Sequence, residues 1–138
     1  PTDSFISYLG IIPPQDVSTY LQKADILIHL CWLDACPNAV VEAISCGLPV
    51  VCSNLGGTPE IVKATNGGCI AKCDEEVDYS GLVEMHNPPS PDIDEVVKCV
   101  EFALSNSEAL ASNMNQSKID ITNTAEKYID FLASVVKL

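Results

Sequence analysis

The chain has 138 residues, 47% of them hydrophobic, and a net charge of −12; this fits one globular domain with a core of useful size. All seven basic residues are lysines, so the clustered Lys and Arg that nucleic acid or an anionic membrane surface demands are missing. No apolar run reaches transmembrane length.

The start at Pro1-Thr2-Asp3, without an initiator methionine and just before a strand-like run, reads as a piece of a longer protein. Residues 4–9 form that β-type run, which ends at Gly10 and is stopped by Pro13-Pro14. Residues 15–23 carry Val17, Tyr20 and Leu21 at helical spacing, with Pro14 at the helix start. Residues 26–30 are nearly all apolar, as expected of a parallel strand buried on both faces. A helix is expected over residues 37–46, with Pro37 at its first position and Gly47 at its end. Residues 49–52 form a second buried strand.

Thr58-Pro59-Glu60 gives a helix start with an N-cap hydroxyl, a first-position proline and an acid in the first turn. That helix ends near Ala64. Asn66-Gly67-Gly68 turns the chain into a strand at residues 69–71. The alternation predicts a parallel α/β sheet of Rossmann-like type. Residues 74–94 read as a solvated acidic connector, with a short extended piece around 78–80. C-terminal helices are expected over residues 95–138, the first marked by Ile93, Val96, Val97, Val100, Ala103 and Leu104, one over 108–118 and one over 122–136. The 138 residues are thus one partial domain, a connector and C-terminal helices.

The seven cysteines are odd in number and include no C-x2-C pair; most sit among apolar residues. With no visible signal peptide, they read as thiols in a reducing, cytoplasmic compartment. Zinc at Cys69 and Cys73 is poorly supported by the spacing, and no metal site is expected. Cys31 and Cys36 flank Asp34, but a nucleophilic cysteine needs a basic neighbour, and only His29 is near. Trp32 packs on the core or on a ligand; the core is favoured. His86, in the connector, reads as exposed.

The chemistry concentrates in Asp34 and Glu42, with seven residues between them. If a helix starts at Pro37, the amides of Asn38 and Ala39 lie in its first turn without intrahelical partners, where the helix dipole favours an anion. Glu42 shares the face of Asn38 one turn along. Asp34 follows the carboxyl end of a parallel strand, the edge at which open α/β sheets bind ligands. Carboxylates suit sugar hydroxyls and helix amides suit phosphate oxygens. The structural alternative is a loop acid and an unpartnered surface glutamate.

The string Asp34-Ala-Cys-Pro-Asn-Ala-Val-Val-Glu42-Ala-Ile-Ser-Cys-Gly-Leu-Pro-Val-Val, followed by Gly56-Gly57-Thr-Pro-Glu60, resembles the retaining GT-B glycosyltransferases of the group 1 (family 4) type. Tyr8-Leu9-Gly10 and Ala24-Asp25-Ile26 resemble them too, and the likeness covers residues 5–73 most closely. It implies that Glu42 holds the ribose of a nucleotide sugar, that Asp34 contacts the transferred sugar in the catalytic role, and that the Asn38 and Ala39 amides take the distal phosphate. Gly10 and Ile11 would lie near the base. His29, Cys36, Pro37, Gly56, Gly57 and Glu60 would shape the site edge, His29 being equally a packed strand-end residue. No cofactor or metal is implied; the partners are a nucleotide sugar and an acceptor.

The family usually has Glu where this chain has Asp34, which shortens the reach by one methylene. The resemblance also implies a sheet order like 3-2-1-4-5-6, of which this chain holds the last four strands, the first near residues 5–9. The missing N-terminal half, with its basic pair and acceptor site, leaves this chain alone without transferase activity. Exposed strand edges then predict pairing with that half or with another copy, and the final helix packs toward it. The alternative reading is a non-catalytic α/β interaction or scaffold module that keeps the motif by descent.

Overall fold

The computed structural model describes residues 5–73, 77 and 88–136. Three parallel strands, β1 (Leu27–His29), β2 (Val50–Ser53) and β3 (Gly68–Ala71), form one sheet in the order β1-β2-β3. Leu27 pairs with Val50, and Val50 with Gly68. Helices α1 (Pro14–Leu21), α2 (Asn38–Ser45) and α3 (Thr58–Thr65) alternate with the strands; α4 (Ile93–Ser105), α5 (Ser107–Asn113), a 3-10 turn at Gln116–Lys118 and α6 (Ile121–Val135) complete the chain. This is the expected α/β, Rossmann-like arrangement with C-terminal helices.

Every residue of β2 is buried, which explains why its sequence is apolar rather than alternating. The pleat sends Val50 and Cys52 into a cluster with Val40, Ala43, Ile44 and Val62. Val51 goes the other way, into a cluster with Ala71, Cys99 and Ala103. Helices α2 and α3 therefore cover one face and α4 the other.

Helix α2 ends in a Schellman motif: Gly47 has φ +76, its amide bonds the Ile44 carbonyl at 2.9 Å, and the Leu48 amide bonds Ala43 at 2.9 Å. The 3-10 turn supports the same end, because Gln116 Nε2 donates to the carbonyls of Ile44 (2.9 Å) and Ser45 (3.2 Å). Next to it, the Asn115 amide donates to the Thr65 carbonyl at 2.7 Å. The C-terminal segment thus ties down α2 and α3, the two helices that follow the carboxyl ends of β1 and β2.

Several expectations need correction. Residues 5–9 form no strand, and the described sheet has three strands rather than four. A strand needs a ladder partner, and no described residue supplies one to this segment. Pro37 caps α2 from outside (φ −69, ψ 118), so Asn38 is the first helical residue. Gly57, not Thr58, is the N-cap of α3; the Thr58 hydroxyl turns toward His29 instead. The connector stops at Asp92, which caps α4 by accepting the Glu95 amide at 3.1 Å. The helix expected over 108–118 is two pieces, α5 and the 3-10 turn, separated at Met114, which adopts an extended conformation (φ −69, ψ 124).

Cys69 and Cys99 form a disulfide, against the expectation of thiols throughout. Packing of α4 on β3 brings their Cα atoms to 5.5 Å, within bonding range. The extended piece around 78–80 and His86 lie outside the described residues. No helix among the described residues is long and apolar enough to cross a membrane.

Candidate functional site

The carboxyl ends of β1 and β2 release two loops. Residues 30–37 run from β1 to α2 and carry Asp34; residues 54–57 run from β2 to α3 and carry Gly56 and Gly57. The loops are bonded backbone to backbone, the Gly57 amide donating to the Asp34 carbonyl at 2.8 Å. Two more bonds lie beneath them. Ser53 Oγ donates to the Cys31 carbonyl at 3.2 Å, and Thr58 Oγ1 meets His29 Nδ1 at 3.3 Å. Ser53 and Thr58 are almost fully buried, so each hydroxyl must be bonded, and each bond fixes the start of one loop.

The two glycines are what this approach requires. Gly56 has φ +67, and a Cβ there would stand 2.9 Å from the Asp34 carbonyl oxygen and 3.2 Å from that of Trp32. A Cβ on Gly57 would overlap the Ala35 carbonyl. Backbone contact this close leaves no room for a side chain.

Asp34 is exposed, and its Oδ1 accepts the Cys36 amide at 3.1 Å. That local turn sets the carboxylate just ahead of α2 and leaves Oδ2 without this bond. Pro37 is buried and lends its carbonyl to the amides of Val40 (3.1 Å) and Val41 (3.3 Å). The amides of Asn38 and Ala39 are the orphan donors of the first turn, on an exposed helix end. Glu42 follows one turn along and lines a groove of about 270 Å³ between α1 and α2, with Pro14, Val17, Leu21 and Val41.

A second cavity, about 410 Å³, lies between the two loops, walled by Trp32, Leu33, Ala35, Gly56, Gly57 and Glu60. The Asp34 loop meets Gly56 and Gly57 backbone to backbone, while Glu42 lines a separate groove that includes neither Asp34 nor Asn38 and Ala39. Gly10 (φ +65) and Ile11 lie in the exposed segment before α1 and line neither cavity. Cys36 is exposed. Cys52, at the end of β2, has its thiol pushed up to about 11 by burial, partly offset by Lys63, which leaves it protonated and unreactive near neutrality. Among the described residues, no group of three His, Cys, Asp or Glu side chains converges as metal ligands do.

The sequence reading missed the part of Ser53 and Thr58 as ties beneath the loops, and the pairing of Trp32 with Glu60 across one cavity. The only available signal was their position, Trp32 two residues before the acid and Glu60 three after the second glycine.

A family model described as "Glycosyl transferases group 1" matches residues 5–84, more than half of the chain. The chain is 35% identical over 60 residues to O-antigen chain mannosyltransferase B of Escherichia coli, covering 44% of this chain and 16% of that protein. It is 37% identical over 57 residues to a phosphatidylinositol N-acetylglucosaminyltransferase subunit of Homo sapiens, covering 41% of this chain and 12% of that protein. It is 26% identical over 66 residues to spore coat protein SA of Bacillus subtilis, covering 47% and 18%. The chain thus matches less than a fifth of the length of each of these relatives. No solved structure matches it.

Proposed function

The chain belongs to the group 1 glycosyl transferases, and we propose that it is the donor-binding, C-terminal part of a GT-B enzyme that moves a sugar from a nucleotide diphosphate sugar to an acceptor with retention. The observation that carries this reading is the exposed start of α2. There the amides of Asn38 and Ala39 are orphan donors, the Asp34 carboxylate lies in the loop just ahead of them, and Glu42 follows one turn along, in the neighbouring groove between α1 and α2. A diphosphate fits the amides and the helix dipole. Glu42 accepts hydrogen bonds from ribose hydroxyls, and Asp34 accepts them from the sugar being transferred.

The names of the relatives point to hexoses, mannose or N-acetylglucosamine, as the transferred group. This chain has no arginine, so the strong positive charge that stabilises the departing diphosphate comes from the rest of the enzyme. Alone, the 138 residues bind donor without turning it over. The apolar stripe of α6 faces that remaining part of the protein.

Calorimetric titration with UDP, GDP and ADP tests the reading. One nucleotide should bind in preference, and Glu42→Gln should weaken it about 10- to 100-fold, the range for loss of a charge-assisted hydrogen bond. A chain that circular dichroism shows to be folded, yet that binds none of the three, would leave the non-catalytic interaction module as the better account.

A further inference from the structure

The cavity between the two loops does not belong to the Glu42 groove, with which it shares no lining residue. Its volume of about 410 Å³ falls within the roughly 300–1,000 Å³ of small-molecule sites. Its shape is set by backbone, because Gly56 and Gly57 press against the carbonyls of Asp34, Trp32 and Ala35. Within this frame, two side chains carry chemistry. Trp32 is half-buried and brings an indole plane. Glu60 stands in the first turn of α3, exposed, and its carboxylate makes no ion pair or hydrogen bond among the described residues.

The lining contains no Lys, Arg or His, so a phosphate has no counter-charge there. An apolar ligand would leave the Glu60 carboxylate unmatched. A neutral polyhydroxylated ring satisfies both groups, its C–H face lying on the aromatic plane and its hydroxyl edge donating to the carboxylate. We infer that this cavity is a sugar-ring subsite, with Trp32 as its platform and Glu60 as its hydroxyl acceptor, both specificity-determining for the transfer. The inference rests on the proposed function and extends it across the Asp34 loop. The occupant is a hexose ring, belonging either to the donor or to the acceptor.

Trp32 is the one tryptophan of the chain, so its fluorescence reports this cavity alone. The full chain is titrated with UDP, GDP, UDP-N-acetylglucosamine, GDP-mannose and the methyl glycosides of glucose and mannose. At least one sugar-bearing probe should shift or quench the Trp32 emission beyond what UDP or GDP does. Glu60→Gln should weaken that response about tenfold. A response to nucleotide sugars assigns the ring to the donor; a response to methyl glycosides alone assigns it to the acceptor.

Emission unmoved by every sugar-bearing probe overturns the subsite, as does an unchanged response in a folded Glu60→Gln chain. If Glu42-dependent UDP or GDP binding persists in that case, the proposed function stands without it. A glycoside response with no nucleotide binding supports the subsite and sinks the donor-binding reading.

Discussion

Helices α2 and α6 both repeat apolar residues at helical spacing. In its 8 residues, α2 buries Val40, Ala43 and Ile44. In its 15 residues, α6 buries none. Ile44 is 0% exposed, whereas Leu132, in the middle of the α6 stripe, is 55% exposed. Tyr128, Ile129, Phe131 and Val135 are exposed like it. Periodicity states which face of a helix is apolar, not what covers that face. For α2 the cover is the sheet; for α6 no described residue provides it.

The sharpest way to test the contrast is to cut the same amount of side chain from each helix. Ile44→Ala should lose about 2–5 kcal/mol, as buried truncations do, out of a total that for such domains is about 5–15 kcal/mol. Urea denaturation reads the loss. Next in size is Gly57→Ala, which forces a methyl group against the Ala35 carbonyl. It should cost about 1–3 kcal/mol and, by moving the Asp34 loop, weaken nucleotide binding as well. Unaltered affinity and melting temperature would show that the loop gives way freely. Smallest is Leu132→Ala, which should stay within about 0.5 kcal/mol, the range for exposed positions. If it proves as costly as Ile44→Ala, α6 is packed in solution and the comparison collapses.

Much of residues 26–71 was legible in the sequence because β2 is buried on both faces and reads as a continuous apolar run, while Pro37, Gly47 and Asn66 mark helix ends. Position Gly47 was read correctly for its physical reason, a left-handed residue after the helix. Residues 5–9 misled because β-type composition describes a surface that suits a ladder and cannot show whether a partner strand is there. Thr58 was misread because its hydroxyl had two uses, capping α3 or bonding His29, and only the tertiary arrangement selects the second. Likewise, nothing in the spacing of Cys69 and Cys99 announces their bond; it follows from α4 lying on β3. At the site, the order of Asp34, Asn38, Ala39 and Glu42 was legible because it is local to one loop and one helix. The Trp32–Glu60 cavity joins two loops through a glycine contact, and chain order alone does not disclose it.

The Cys69–Cys99 bond also makes part of the chain circular. It joins residues 30 apart in sequence, and the acidic connector lies wholly inside the resulting ring. A protease that nicks the chain anywhere within that ring opens one strand of a closed loop without releasing a fragment. The piece with the three strands and the piece with the C-terminal helices remain one covalent molecule. They part only on treatment with a reductant, so a nicked chain keeps its full mass under non-reducing conditions and splits in two once the bond is reduced.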